Sequence, residues 1–431
     1  MTDASPTPPW RPLLTGELVE HAQRVLSDIA SGLATTATGD SARDLSLAGG
    51  QAGIAMFFAY LNAAYPDQGH DDTAMSFLER AIEGTSELAV GAGLYSGFAG
   101  VAWALEHLQG RLFDPDGEDP GEEIATILQG YLGRTPWYGD YDLISGLVGF
   151  GVYGLERLPR AAGQACLEAT VARLAETSEV RPEGGISWYT PADRVGPIQR
   201  EAFPEGYYNL GVAHGVPGVV GLLGEVCAAG VAPAESRRLL DGAVEWILTQ
   251  RLAEGAGSLY PYNFAVGIAP TATRLAWCYG DLGIATSLLA AARAVGEPAW
   301  EKEALTIARS CAARALDGSG VVDPGLCHGA AGAAHLFNRL YQATGEPSLG
   351  EVSRRWFEKT LTFQKTEGIG GFQAWLPKSN DIQGDLGWMD DAGFLTGSAG
   401  IGLALLAAIS DVPPEWDRVL LTAIRPPQDN A

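Results

Sequence analysis

Basic residues are scarce in this chain. Lys and Arg number 28 against 52 Asp and Glu over 431 residues, a formal net charge of −24. Such a surface repels a phosphate backbone, which excludes sequence-independent nucleic-acid binding. It also makes an anionic membrane face a poor partner, while a cationic peptide would be attracted. Clean apolar runs are missing too. None reaches the roughly 18 residues a membrane span needs. The nearest case, 210–232, is interrupted by His214, Pro217 and Glu225. Residues 1–14 are Thr- and Pro-rich with no basic start, so no secretory signal is expected there, and a soluble cytoplasmic protein is the expectation. Cysteine is limited to Cys166, Cys227, Cys278, Cys311 and Cys327. Five is odd and few for this length, which argues against a disulfide framework.

Glycine, by contrast, is abundant, with 56 residues, and it is patterned. A Gly-x-x-Gly unit followed by an apolar helical stretch returns seven times. The copies start at Gly50, Gly97, Gly146, Gly215, Gly280, Gly329 and Gly397, at intervals of 47 to 69 residues. Recurrence on this scale marks a repeat architecture. After Gly218, Val219, Leu222, Leu223 and Cys227 keep helical spacing; between copies, Leu240, Val244, Ile247 and Leu248 make one apolar stripe and Trp300, Ala304, Ile307, Ala308 and Cys311 another. Each unit therefore reads as two helices, one opened by the glycine pair and one between pairs. The predicted fold is all-α, with seven helical hairpins. Closure into an α/α toroid is favoured over an open solenoid. A ring points every glycine turn at one end and one shared cavity, and the last copy stays apolar (Ile401, Leu403, Leu405, Leu406) where a solenoid would need a polar cap. The whole chain, 1–431, reads as one such domain. Within it, 181–208 is rich in Pro and Gly around strand-like Ile186, Trp188 and Tyr189. It reads as a non-helical, β-containing flap inserted over the ring. The acidic 114–121 segment reads as a surface loop.

Two copies carry chemistry-bearing residues in matched places. Cys278 lies two residues before Gly280, and Cys327 two residues before Gly329 with His328 next to it. Stacked repeats would bring them together, and two thiolates with an imidazole suit a borderline-soft ion such as Zn²⁺. Free cysteines are usually buried small apolar residues; that reading fits Cys166, Cys227 and Cys311. His214 precedes Gly215 one copy earlier, and Asp142 precedes Gly146 by four residues. Arg274 and Tyr279 flank Cys278. Together they would equip one cavity for metal-activated nucleophile chemistry with acid–base help. On residue type alone, Asp142 also fits a helix cap, and Arg274 an ion-pair partner. His21, His70, His107 and His335 have no such placement and read as structural or exposed.

Trp277-Cys278-Tyr279-Gly280-Asp281-Leu282-Gly283 and Cys327-His328-Gly329 resemble the zinc motifs of the lanthionine synthetase C-like family, the lantibiotic cyclases. Asn209-Leu-Gly-Val-Ala-His214-Gly-Val-Pro-Gly218 resembles that family's catalytic histidine motif. Tyr141-Asp142 before Ser145-Gly146 is similar to its aspartate motif, and Arg274 stands where its arginine would. The resemblance runs from Gly49 to Leu406; the flap is where residues do not match. It implies a double ring of helices with one Zn²⁺ per chain, held by Cys278, Cys327 and His328. It implies Michael addition of a precursor-peptide cysteine to dehydroalanine or dehydrobutyrine, closing a lanthionine or methyllanthionine thioether ring. His214 and Asp142 would then serve acid–base chemistry, and Arg274 and Tyr279 orientation or enolate stabilisation. The implied partners are the dehydrated precursor, a separate dehydratase and a transporter, in a complex peripheral to the membrane. Two other readings remain at this point: addition of glutathione or another small thiol to dehydrated residues, and a non-catalytic peptide-binding scaffold with structural zinc.

Overall fold

The computed structural model describes residues 10–37, 44–87, 90–114, 119–378 and 385–427. Residues 1–9, at the start of the stretch read for a signal, and 115–118 of the acidic loop lie outside them. In chain order the elements are α1 (Glu17–Ala34), α2 (Gln51–Ala64), α3 (His70–Glu87), α4 (Phe98–Leu108), α5 (Glu122–Leu132), α6 (Leu147–Glu156) and α7 (Ala161–Thr177). Then come β1 (Ser178–Val180), β2 (Ile186–Thr190), α8 (Pro197–Ala202), β3 (Tyr207–Asn209), α9 (Val216–Ala228), α10 (Pro233–Thr249) and β4 (Asn263–Phe264). The remainder comprises α11 (Asp281–Val295), α12 (Pro298–Ala312), α13 (Ala330–Thr344), α14 (Pro347–Leu361), β5 (Ala374–Pro377), β6 (Leu386–Met389) and α15 (Ser398–Ile409).

All seven glycine pairs open a helix, and those helices (α2, α4, α6, α9, α11, α13 and α15) form the inner ring. Each packs on the next, and α15 packs back on α2, so the ring is closed. Inner helices are buried over most of their length; in α15, apolar on every face, everything from Ser398 to Ala408 is buried. A helix without a polar face must be surrounded. The intervening helices are amphipathic and lie outside: α12 buries only Ala304, Ile307, Ala308 and Cys311. The seventh hairpin is not contiguous. The last inner helix, α15, takes α1 from the chain's start as its outer partner.

The local cause of the Gly-x-x-Gly pattern is a loop folded across each helix N-terminus. In the sixth turn the carbonyls of Asp323, Pro324 and Gly325 accept the N–H groups of Ala330, Ala331 and Gly332 at 2.9, 3.1 and 3.2 Å. Main chain thereby satisfies the first-turn donors that a helix leaves unpaired. The loop lies so close that a Cβ on Gly332 would sit 1.8 Å from the Leu326 carbonyl oxygen. A second set of bonds links one turn to the next. Ala48 N–H donates to Tyr95 O, Tyr95 to Ile144, Leu143 to Ala213, Ala213 to Cys278, Cys278 to Cys327, Cys327 to Leu395, and Leu395 back to Ala48, at 2.7 to 3.3 Å. This girdle closes the toroid at its glycine-turn end.

The C-terminal 3₁₀ helix Glu415–Leu420 fills the ring from within. Trp277 Nε1 donates to Leu420 O at 2.8 Å, Tyr95 Oη to Val419 O at 3.0 Å, and His335 on α13 pairs with Asp417. A segment touching turns two and five and α13 at once lies inside the ring.

The flap region is a four-stranded antiparallel sheet, β1-β2-β3-β4, with both β1 and β4 contributed from outside the expected 181–208. One expectation there is corrected: the segment was read as free of helix, yet α8 forms. Pro197 stands at its start, where a missing N–H costs nothing. The β5-β6 pair, stapled by Trp375 against Trp388 at 5.3 Å, was not foreseen. Among the described residues no helix is long and apolar enough to cross a membrane.

Candidate functional site

The girdle explains why two distant cysteines meet. Cys278 and Cys327 each lie two residues before a capping glycine, and the Cys278 N–H bonds the Cys327 carbonyl at 3.3 Å. Their side chains leave adjacent turns toward the same place. His328, next along, joins them, and the three ligand atoms lie within 4.8 Å of one another. His328 Nδ1 is the nitrogen facing Cys278 Sγ, at 4.0 Å. A hydrogen bond from Cys327 holds the Cys278 thiol well below its ordinary value, and the Cys327 thiol is pushed well above it by that bond and by burial. The Arg274 charge favours the thiolate form at both. Arg274 Nε is buried and has no hydrogen-bond partner among the described residues.

His214 and Asp142 meet across turns three and four. His214 Nδ1 donates to Asp142 Oδ2 at 2.5 Å, and Asp142 Oδ1 accepts the Ser145 N–H at 2.8 Å. The helix-cap reading of Asp142 is corrected: Gly146 caps α6 with no side-chain bond, and Asp142, four residues earlier, shapes the turn with one oxygen and meets the imidazole with the other. Burial disfavours charge on His214, but the hydrogen bond and charge of Asp142, with Cys278 and Asp140 behind them, outweigh it and raise the pKa. The imidazole itself keeps 46% of its surface open to a recess of about 390 Å³. That recess is lined by Asp140, Asp142, His214 and Tyr279 from the turns and by Thr190, Arg194 and Tyr207 from the flap. Arg194 Nη1 ties the flap to the third turn by donating to Gly139 O at 2.8 Å. The Tyr279 ring lies 6.3 Å from that of His214, and Tyr279, as chain neighbour of Cys278, connects recess and cysteines. Its hydroxyl accepts from Asn209 Nδ2 at 2.9 Å, and burial raises its pKa.

The family model described as Lanthionine synthetase C-like protein matches residues 41–421. The chain belongs to the lanthionine synthetase C-like family. Similar proteins include the glutathione S-transferase LANCL1 of Danio rerio, 24% identical over 78% of this chain and 80% of that one. Another is the nisin biosynthesis protein NisC of Lactococcus lactis subsp. lactis, 25% identical over 69% and 74%. The solved structure of nisin cyclase superposes with a TM-score of 0.71 at 19% identity, covering 93% of this chain and 97% of that one, and shares the fold.

In this lanthionine synthetase C-like chain the seven candidate residues divide in two. His214, Asp142 and Tyr279 line the recess. Arg274 does not; its charge acts on the sulfurs of Cys278 and Cys327, whose partner is His328. Sequence reasoning missed Asp323, whose Oδ2 lies 3.6 Å from His328 Nε2. It also missed the bond from Asn209 to Tyr279, and Asp140 and Arg194 at the recess. A signal for Asp323, Asn209 and Asp140 was available: Asp44, Asp140, Asn209, Asp323 and Asp391 all stand six residues before a capping glycine. Cys166 and Cys311 are buried in the core, Cys227 is half-buried, and all five cysteines are free.

Proposed function

We propose that the protein is a zinc-dependent lanthipeptide cyclase. The observation that carries this reading is the close set of Cys278, Cys327 and His328, joined through Tyr279, the chain neighbour of Cys278, to the flap-covered recess that holds His214 and Asp142. Two sulfurs and an imidazole nitrogen within 4.8 Å suit Zn²⁺, and three protein donors leave one coordination position for a substrate. When bound there, zinc supplies activation of an incoming thiol, which with a pKa of about 8.5 is otherwise mostly protonated at neutral pH.

The chain's own residues supply the rest. The substrate sulfur bonds to the β-carbon of dehydroalanine or dehydrobutyrine, the alkene π pair moves to the α-carbon and carbonyl, and a proton must reach the α-carbon. His214, whose pKa Asp142 raises, is the candidate in this reading to give that proton and to recover one from a further thiol. Asp142 fixes its ring orientation and tautomer. Tyr279, anchored by Asn209 in the recess, would orient the reacting groups or stabilise the enolate, and the Arg274 charge favours the thiolates. The net change is an isomerisation with no change of mass. Dehydrated residues arise by loss of water from Ser or Thr, so a dehydration step must come first. The peptide, the dehydratase and a transporter are the partners this reading proposes, at a cytoplasmic site of assembly.

A second reading, addition of glutathione to the same alkenes, is favoured by one finding, the relative named as a glutathione S-transferase. One assay separates the two. The protein is mixed with a dehydrated precursor, with and without glutathione, and remaining thiols are alkylated before mass spectrometry. Cyclisation removes alkylatable cysteine at constant mass, whereas the second reading adds the mass of glutathione. Rings that form equally well without protein, or with Cys327→Ala, refute the catalytic reading.

A further inference from the structure

Asp323 is fully buried in the turn that carries Cys327 and His328. Its two oxygens differ. Oδ1 accepts the Gly325 N–H at 3.1 Å and shapes the turn. Oδ2 is buried with no hydrogen-bond partner among the described residues and lies 3.6 Å from His328 Nε2. A buried acceptor left unsatisfied is destabilising, so turn geometry alone does not account for a carboxylate there. Two of the equivalent positions, Asn209 and Asp391, show the same division of labour. Asn209 Oδ1 accepts from Gly211 while its Nδ2 donates to Tyr279. Asp391 Oδ1 accepts from Gly393 while its Oδ2 takes the Thr396 hydroxyl. One half of each side chain builds the loop, and the other half serves a neighbour.

Resting on the metal-site reading above, we propose that Asp323 is a positioning residue for the Cys278–Cys327–His328 cluster. It keeps the single imidazole proton of His328 on Nε2 and so leaves the Nδ1 lone pair facing the sulfurs. A neutral imidazole binds a metal only through its unprotonated nitrogen, and the group facing the other nitrogen selects the tautomer. The opposite tautomer would set the Nε2 lone pair against a buried carboxylate and a proton against Cys278. The 3.6 Å separation is longer than a hydrogen bond; the carboxylate acts on the neutral ring through the direction of its Nε2–H dipole.

The test compares Asp323→Asn with Asp391→Asn in the full chain. Both keep an oxygen for the turn N–H. Only the first presents an amide N–H₂ to His328 Nε2. Zinc affinity is measured by competition with a chromogenic chelator, with melting of the metal-free proteins in parallel. Asp323→Asn should bind zinc about 10- to 100-fold more weakly while melting like the wild type without metal, and Asp391→Asn should bind as the wild type does. Equal weakening in both variants, or in neither, overturns the proposal while leaving the metal site standing. A wild-type chain that takes up no zinc overturns the metal reading itself. A second measurement needs no variant: in ¹⁵N-histidine spectra of the zinc-loaded protein, His328 should carry its proton on Nε2, and a proton on Nδ1 would refute the assignment.

Discussion

Replacing Asp142 by Asn isolates one charge at the centre of the proposed chemistry. The substitution keeps the oxygen that accepts the Ser145 N–H, so the third turn should survive. It removes the anion that lies 2.5 Å from His214 Nδ1 and offers that nitrogen an N–H₂ donor instead. A hydrogen bond to a charged group contributes about 1.5–3 kcal/mol, which converts to a rate loss of about 10- to 150-fold. Direction with pH follows from the raised pKa of His214. Asp142 supplies the largest upward contributions to it, so Asp142→Asn should move the histidine-dependent limb of the pH–rate profile to lower pH. The same sign governs stability. A histidine whose folded pKa is raised stabilises the fold below its unfolded value of about 6.5 and loses that contribution as pH rises through the folded value. The stability gap between variant and wild type should therefore shrink as the medium becomes alkaline. The assay is single-turnover ring closure on a dehydrated precursor, followed by thiol alkylation and mass spectrometry, with zinc content measured alongside. An unshifted profile with unchanged rate would refute the pairing as a functional one. Loss of zinc would show instead that Asp142 supports the metal.

His214→Ala should retain zinc and impair cyclisation, whereas Cys278→Ala should lose the metal; elemental analysis of both purified proteins decides the assignment. Gly332→Ala forces a Cβ to 1.8 Å from the Leu326 carbonyl and should destabilise by about 1–3 kcal/mol or more, while Gly130→Ala, in α5 with nothing within 4 Å, should stabilise by about 0.4–1 kcal/mol. Chemical denaturation of the pair tests the loop-on-helix account. Asp417→Asn breaks a fully buried group held by Arg339 and His335 and should cost about 3–5 kcal/mol. Burial opposes the Asp417 charge, but Arg339 and His335 outweigh it and lower the pKa. Its contribution is therefore present above the ordinary Asp value near 3.9 and lost as pH falls through the folded value, so acid unfolding of the variant should lack that component.

Much of this protein was legible from the order of its residues. Seven glycine pairs each ahead of an apolar run specify seven buried helices, because a loop can lie on a helix N-terminus only where no Cβ intervenes. The same register showed that Cys278 and Cys327 occupy equivalent places, and that His214, Asp142 and Tyr279 lie in neighbouring turns. Other features depended on contacts between residues far apart in sequence. Nothing local says that α15 pairs with α1, that Glu415–Leu420 enters the ring, or that β4 joins the flap sheet. Nor could spacing tell that Arg274 belongs with the sulfurs rather than with His214, or that the second oxygen of Asp323 faces His328. A periodic pattern determines what each repeat is, since burial and capping are local demands. Which side chains meet is decided by ring closure, which sets every turn against its neighbours and leaves each polar atom to find its partner across them.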